Sequence, residues 1–278
     1  MPHLADFFTS IYAFCNRTRL LRHPSFQRVF SHGYFAYKRY LEDPFTPLVA
    51  ARPELFREGH ILDVGANIGY TASLFAGVVS PGFRVFAFEP EESNFHLLER
   101  TIRERGLSHC VTPLRTAVGE QSGMSDLWLN PMHHADHRMI TPTFHGEPGV
   151  ACQTQHIPMV RLDDFCSDAI PGQPVRFIKI DVQGFEGPVC LGMTRTLALN
   201  PGALVGLEYY PKGIEQLGFK SSDILQFFQE RAYRLYVLTR QTLLREVRYE
   251  DIQATIGHHG YTDLLFSKSD KLTDGLKQ

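Results

Sequence analysis

Cysteine is scarce in this chain. Five occur in 278 residues (Cys15, Cys110, Cys152, Cys166 and Cys190), an odd number, widely spaced and without a CxxC pair. That distribution argues against a disulfide framework and a structural zinc site, and it fits a reducing, cytoplasmic setting. A dominant sign of charge is missing too: Lys+Arg 28 against Asp+Glu 30 leaves a net charge of −2. No broad field therefore draws the protein to nucleic acid or to an anionic membrane surface. The start MPHLADFFTS has no basic leader ahead of an apolar segment, and no run approaches the ~18 apolar residues of a spanning helix. Neither secretion nor a membrane span is expected. Internal repeats and low-complexity tracts are also lacking.

What is present is an ordinary globular composition, 43% hydrophobic and 21% charged, enough for one substantial core. Residues 1–55, rich in aromatics and arginine, read as a helical extension, and residues 56–270 as the main domain. From His60 onward, strand-like apolar runs alternate with amphipathic stretches: HILDV, Tyr70 to Val79, RVFAF, Glu91 to Arg105. Such alternation implies βαβ units and a parallel sheet. HCVTPLRTAV, SDLWLN, HIPMVRL, VRFIKID, ALVGLEYY, YRLYVLT and YTDLLFS are further strand candidates, with a helix at Ser222 to Arg231. The last two strands follow without a long helix between them, which suggests an antiparallel pair closing one edge. The histidine-rich stretch from Pro131 to Val150 is long for a plain connection and reads as a lid or binding loop.

ILDVGANIGYTA places a strand, an acid, two glycines and a helix in succession. Gly65 lets the backbone turn close to a ligand, and Gly69 lets the helix start pack tightly. A dinucleotide fingerprint needs GxGxxG, and this loop lacks its third glycine. Asp63, just before the turn, would repel a pyrophosphate yet suits a ligand carrying an ammonium and a sulfonium, as S-adenosylmethionine does. Glu89 ends the next strand, where an acid accepts hydrogen bonds from vicinal ribose hydroxyls. The alternative is that Asp63 and Glu89 only cap the following helices.

The blocks DVGANIGYTA, FEPEESNF, TAVGE, VRLDDF and KIDVQGFE resemble successive blocks of FkbM-type S-adenosylmethionine-dependent methyltransferases, over about Pro44 to Phe266. The resemblance implies a three-layer, Rossmann-like class I α/β fold: a seven-stranded, mostly parallel sheet with one antiparallel edge strand. It implies S-adenosylmethionine as donor, S-adenosylhomocysteine as product, and O-methylation of a sugar, glycoconjugate or secondary metabolite. Asp63, Gly65, Ala66, Asn67 and Gly69 would meet the donor's amino-acid part, Glu89, Pro90 and Asn94 its ribose, and Ala117 and Val118 its adenine. One departure is Gln183, where many relatives carry a glutamate; Asp181 and Glu186 keep acids on both sides of it.

A hydroxyl acceptor loses a proton, and the candidates to take it are Asp181, Glu208 and His137. Asp181 ends VRFIKID and should reach the ligand crevice, donor included. Glu208 interrupts an apolar strand, where an acid is costly unless paired or functional. His133, His134, Asp136, His137 and Arg138 read as substrate contacts rather than a metal site, because their spacing matches no zinc pattern; His258 and His259 read as turn residues. The partner expected is a small-molecule or glycan acceptor, and a homodimer is one oligomeric state left open. Two rival readings stand beside this one, an NAD-linked oxidoreductase and a non-catalytic methyltransferase-like binding module.

Overall fold

The computed structural model describes residues 33–131, 135–150, 152–241, 243–256, 260–269 and 272. His133, His134, His258, His259 and the first 32 residues of the expected helical extension lie outside them. Residues 33–37 are helical and run into a π-helical turn, Lys38–Glu42, followed by helix α1 (Phe45–Ala51) and a 3₁₀ turn at Pro53–Phe56.

Two βα units come next: β1 (His60–Val64), α2 (Tyr70–Ala76), β2 (Val85–Phe88) and α3 (Glu92–Glu104), then β3 (Val111–Leu114). Short strands β4 (Ala117–Val118), β5 (Gly123–Leu129), β6 (Arg138–Met139) and β7 (Gln153–Val160) precede α4 (Leu162–Ala169) and β8 (Val175–Ile180). After α5 (Glu186–Leu191) and α6 (Thr194–Leu199) come β9 (Leu204–Tyr209), α7 (Pro211–Gln216) and α8 (Ser221–Gln229). The chain finishes with β10 (Arg234–Thr239), β11 (Leu243–Val247), α9 (Ile252–Ile256) and β12 (Thr262–Ser267).

The main sheet has eight strands in the order β11-β10-β12-β9-β8-β1-β2-β3. β1, β2, β3, β8 and β9 are mutually parallel, and β1 and β2 are buried along their whole length, as strands covered by helices on both faces must be. YRLYVLT and YTDLLFS do pair antiparallel, as β10 and β12. The fold is the class I arrangement, with two differences from the expected sheet. The edge strand, β11, is antiparallel as expected but is the eighth strand, and a second reversed strand, β12, lies inside, between β9 and β10. Its Leu264, Leu265 and Phe266 are fully buried, which suits an interior strand and not an edge.

HCVTPLRTAV, read as one strand, divides. β3 stays at the edge of the main sheet, where Pro113 leaves no ladder position unpaired, and β4 joins a second sheet, β4-β7-β5-β6. Beneath the helices, Phe56 packs on Phe75 and Phe177, with ring centroids 5.6 and 4.9 Å away. Because the parallel strands end on one side, the loops after β1, β2 and β8 open together there, and reversed β12 brings its first residues to that side.

Candidate active site

The loop after β1 is shaped by contacts only glycine allows. Gly65 has φ 81° and a Cβ there would fall 1.8 Å from the Asp181 carbonyl oxygen, so the loops after β1 and β8 meet backbone to backbone. Gly65 and Ala66 donate their N–H groups to Phe88 O at 3.0 and 2.9 Å. Gly69, at φ 91°, serves a tight approach of α2 to α3: its Cβ would lie 2.8 Å from Leu98 Cδ1.

Glu89 is the hub of the second loop. Its Oε2 accepts from Asn67 N at 2.9 Å, its Oε1 from Glu91 N at 3.0 Å, and Asn94's side chain donates to it as well. Burial outweighs these donors and pushes its carboxyl up to about 8, with the neighbouring Glu91 charge adding to the rise. Neither Glu89 nor Asp63 caps a helix. Glu91 caps α3 by accepting from Asn94 N at 2.7 Å, and α2 begins at Gly69 with no side-chain cap.

Asp63 is 0% exposed and lies under the floor of the cleft. Thr71 Oγ1 donates to its Oδ2 at 2.7 Å, while its Oδ1 has no hydrogen-bond partner and stands 3.8 Å from Lys179 Nζ. Lys179 is 5% exposed and also donates to Asp181 Oδ2 at 3.1 Å. Burial alone would lift the Asp181 carboxyl, yet Lys179, Lys38 and hydrogen bonds to its oxygens hold it below the usual range.

Gln183, in the left-handed region at φ 54°, reaches two acids with one amide nitrogen: Nε2 donates to Asp181 Oδ1 at 3.0 Å and to Glu208 Oε2 at 3.3 Å. Its loop is pinned by Glu186, whose Oε1 accepts from Val182 N and Gly184 N at 3.1 and 3.2 Å. Glu208, on β9, stands in register with Asp263 on β12. Burial, then Asp181, then Asp263 raise Glu208 well above the carboxylate range; burial and Asp181 push Asp263 up to about 7. The π-helical turn completes this end with a Lys38–Glu42 ion pair at 2.7 Å, and Asp43 accepts from Thr46 N and Oγ1.

The opposite wall comes from the second sheet. Asn130 N donates to His137 Nδ1 at 3.0 Å, so the neutral ring carries its proton on Nε2, 4.0 Å from Glu91 Oε2. Desolvation lowers the His137 pKa, which keeps the ring a neutral donor. Arg138 is held by Asp136 Oδ1 and Gln216 Oε1, both at 2.7 Å. Among the described residues no three His, Cys, Asp or Glu side chains converge as metal ligands.

One cleft of about 420 Å³ joins these parts. Gly65, Ala66, Asn67, Glu89, Pro90, Asn94, Ala117, Val118, His137, Asp181 and Glu208 all line it, whereas Asp63 and Gly69 lie behind its wall. Lys179, Asp263 and Lys38 line it as well and were not singled out from the sequence. A lysine inside the apolar run VRFIKI was the one available signal for Lys179.

A cleft at the strand ends of such a sheet, with a glycine turn after β1 and a buried acid after β2, defines a class I methyltransferase. The methyltransferase FkbM domain matches residues 63–235, more than half of the chain. The chain belongs to this family, whose methyl donor is S-adenosylmethionine, and the NAD-linked reading falls with that match. No curated protein matches. Among solved structures, the chain is similar to methyltransferase FkbM from Methylobacillus flagellatus KT, at 18% identity and a TM-score of 0.47, covering 83% of this chain and 47% of that one. The chain thus spans about half that structure's length. It is also similar to the O-methyltransferase TomG from Streptomyces achromogenes, solved with S-adenosylmethionine (15% identity, TM-score 0.48, 82% and 80% covered). A third is an O-methyltransferase from Bacillus cereus, solved with S-adenosylhomocysteine (15%, 0.47, 94% and 97%). Among the described residues no helix is long and apolar enough to cross a membrane.

Proposed function

We propose that the protein methylates a hydroxyl of a small polyhydroxylated acceptor, a sugar, glycoconjugate or secondary metabolite, in the cytoplasm. Residues 56–270 form the catalytic domain and 1–55 its extension. The observation that carries this reading is the division of one cleft into two chemically different ends. Along the strand order β9-β8-β1-β2, Glu208 and Asp181 come first, then the Gly65–Asn67 turn, then Glu89 with Asn94, and all line the one cleft.

The residues of the end at the Gly65–Asn67 turn and Glu89 fit the donor. Glu89 offers buried carboxylate oxygens to a ribose diol, and Gly65, having no Cβ, lets the loops after β1 and β8 close up beside it. Asp63 lies beneath the floor with Lys179 3.8 Å from its unbonded oxygen, and steadies that lysine and the loop from below rather than touching the donor. Bound there, S-adenosylmethionine supplies a methyl carbon already activated by its sulfonium. The protein's work is then to hold the acceptor hydroxyl in line and about 3 Å away, and to receive its proton.

Of the three candidate bases, Glu208 suits that task best. His137 already carries its proton on the nitrogen free to meet a ligand. Asp181 has both oxygens engaged, by Lys179 and Gln183, and its low pKa makes it a weak base. Glu208 Oε2 is held by Gln183, while no described residue hydrogen-bonds Oε1, which leaves that oxygen open to an acceptor hydroxyl. The hydroxyl proton passes to Oε1, with Asp181 holding the adjacent negative charge.

Calorimetry with S-adenosylhomocysteine, followed by product release over a polyol panel, tests the reading. Absence of binding at millimolar ligand defeats it, and binding without turnover on any acceptor favours the non-catalytic module. Glu208→Gln should lower turnover by about 10²-fold or more, the usual worth of a positioned base, with S-adenosylhomocysteine still bound.

A further inference from the structure

The acceptor end of the cleft holds more acceptors than free donors, and this imbalance restricts what fits. Each charged donor lining that end is already committed. Lys38 is bound to Glu42 at 2.7 Å, Lys179 lies between Asp181 and Asp63 at 3.1 and 3.8 Å, and the Gln183 amide is shared between Asp181 and Glu208. Asp43 is likewise satisfied, by the Thr46 N–H and hydroxyl. Glu208 and Asp263 form no ion pair with any described residue; Lys38 favours the ionised form of both, and Lys179 that of Asp263, only from a distance.

They stand directly opposite each other on β9 and β12, and both line the cleft. Opposed residues of an antiparallel pair share a face, with Cβ atoms about 4.5–5.5 Å apart, and like charges in that position repel. In the ligand-free protein the cost is reduced by protonation, in line with the upward shift of both groups. An incoming cation would remove that cost and let both ionise.

We infer that the acceptor is an ammonium-bearing polyol, such as an amino sugar, with its charged nitrogen between Glu208 and Asp263, and that anionic acceptors are rejected. The inference rests on the methyltransferase reading and narrows it from polyhydroxylated compounds to cationic ones. A carboxylate or phosphate on the acceptor would face Glu208, Asp263 and Asp181 with no uncommitted lysine or arginine on the lining to meet it. A neutral polyol brings no charge to offset the repulsion of the two acids and contributes no cationic charge-assisted bond.

The test is calorimetry at pH 7 on protein saturated with S-adenosylhomocysteine, titrated with glucosamine, glucose and glucuronate, and with magnesium chloride alone. Glucosamine should bind roughly tenfold or more tightly than glucose, the worth of one charge-assisted contact, and glucuronate should not bind. Asp263→Asn should abolish the preference for glucosamine, and Glu208→Gln should weaken it, with melting curves reporting that each variant is folded. Glucuronate binding as well as glucosamine, no sugar binding, an undiminished preference in Asp263→Asn, or magnesium occupying the acids in place of glucosamine would each overturn the inference. Failure of S-adenosylhomocysteine itself to bind would instead strike the methyltransferase reading.

Discussion

Glu89 should make donor binding strongly dependent on pH. In the ligand-free protein burial places its carboxyl at about 8, so at pH 6 only about one molecule in a hundred carries the ionised form. Ribose hydroxyls donate to a carboxylate and stabilise the charged state, so ligand binding expels the proton. With the bound carboxyl returned to its ordinary range, affinity should rise about 50-fold between pH 6 and pH 8, from the ionised fraction of the protein, about 0.01 and about 0.5 at the two pH values. Glu89→Gln removes the titration. It also turns an amide NH₂ toward either Asn67 N–H or Glu91 N–H, leaving one buried donor unpaired at about 1–3 kcal/mol, and so weakens binding at every pH. The assay is calorimetry with S-adenosylhomocysteine, and with adenosine to exclude the amino-acid groups, in buffers of different ionisation enthalpy. Close to one proton should be released per ligand near pH 7. Affinity varying less than about threefold between pH 6 and 8, or a Glu89→Gln protein retaining the full dependence, would refute the reasoning.

The same burial has a consequence for stability: Glu89 (about 8), Glu186 (about 7) and Asp263 (about 7) all bind protons more tightly when folded than when unfolded. Their contribution is therefore fully present below the unfolded carboxyl range and is lost as pH rises through 7 to 8. The ligand-free melting temperature should fall by on the order of 5–10 °C between pH 6 and 8.5, and a flat or rising curve by scanning calorimetry would contradict this. Gly65→Ala should abolish S-adenosylhomocysteine binding and lower the melting point more than Gly82→Ala does. Both have positive φ, 81° and 91°, but only at Gly65 does a Cβ meet backbone, at 1.8 Å, with open space around Gly82. Equal effects at the two positions would remove the close-approach argument.

The part of the cleft at the glycine turn and Glu89 was legible in the sequence because backbone geometry dictates it locally. A turn that must pass a neighbouring carbonyl admits only glycine, and the acid of FEP follows its strand by one position. The acceptor end was legible only in part. Asp181 and Glu208 were visible as acids at strand positions. Asp263 became their neighbour through a pairing between chain segments far apart in sequence, which no local pattern encodes. Lys179 was hidden for a related reason: in an apolar strand it reads as one polar interruption, and its function as counter-ion to Asp63 and Asp181 exists only once β1 and β8 lie side by side. Asp63 was readable as an important acid, but its depth under the floor followed from complete burial of β1. The division of HCVTPLRTAV between two sheets could not be read from apolar content, because Pro113 is compatible with an edge strand as well as with a break.

The reversal of β12 would give a protein with the proposed activity a freedom to change its acceptor. In the parallel strands, the residues at the cleft are the last of the strand and those that follow it, and altering them disturbs the turn or helix that comes next. At β12 the cleft receives the residue that comes before it, Tyr261, and then Asp263 itself. Insertions or exchanges just upstream could redraw the acceptor pocket while the donor loop, fixed by the contact of Gly65 with Asp181, stays untouched. A lineage of such proteins could thus keep one methyl donor and diversify in what it modifies, with the first turn into a single strand as the adjustable part.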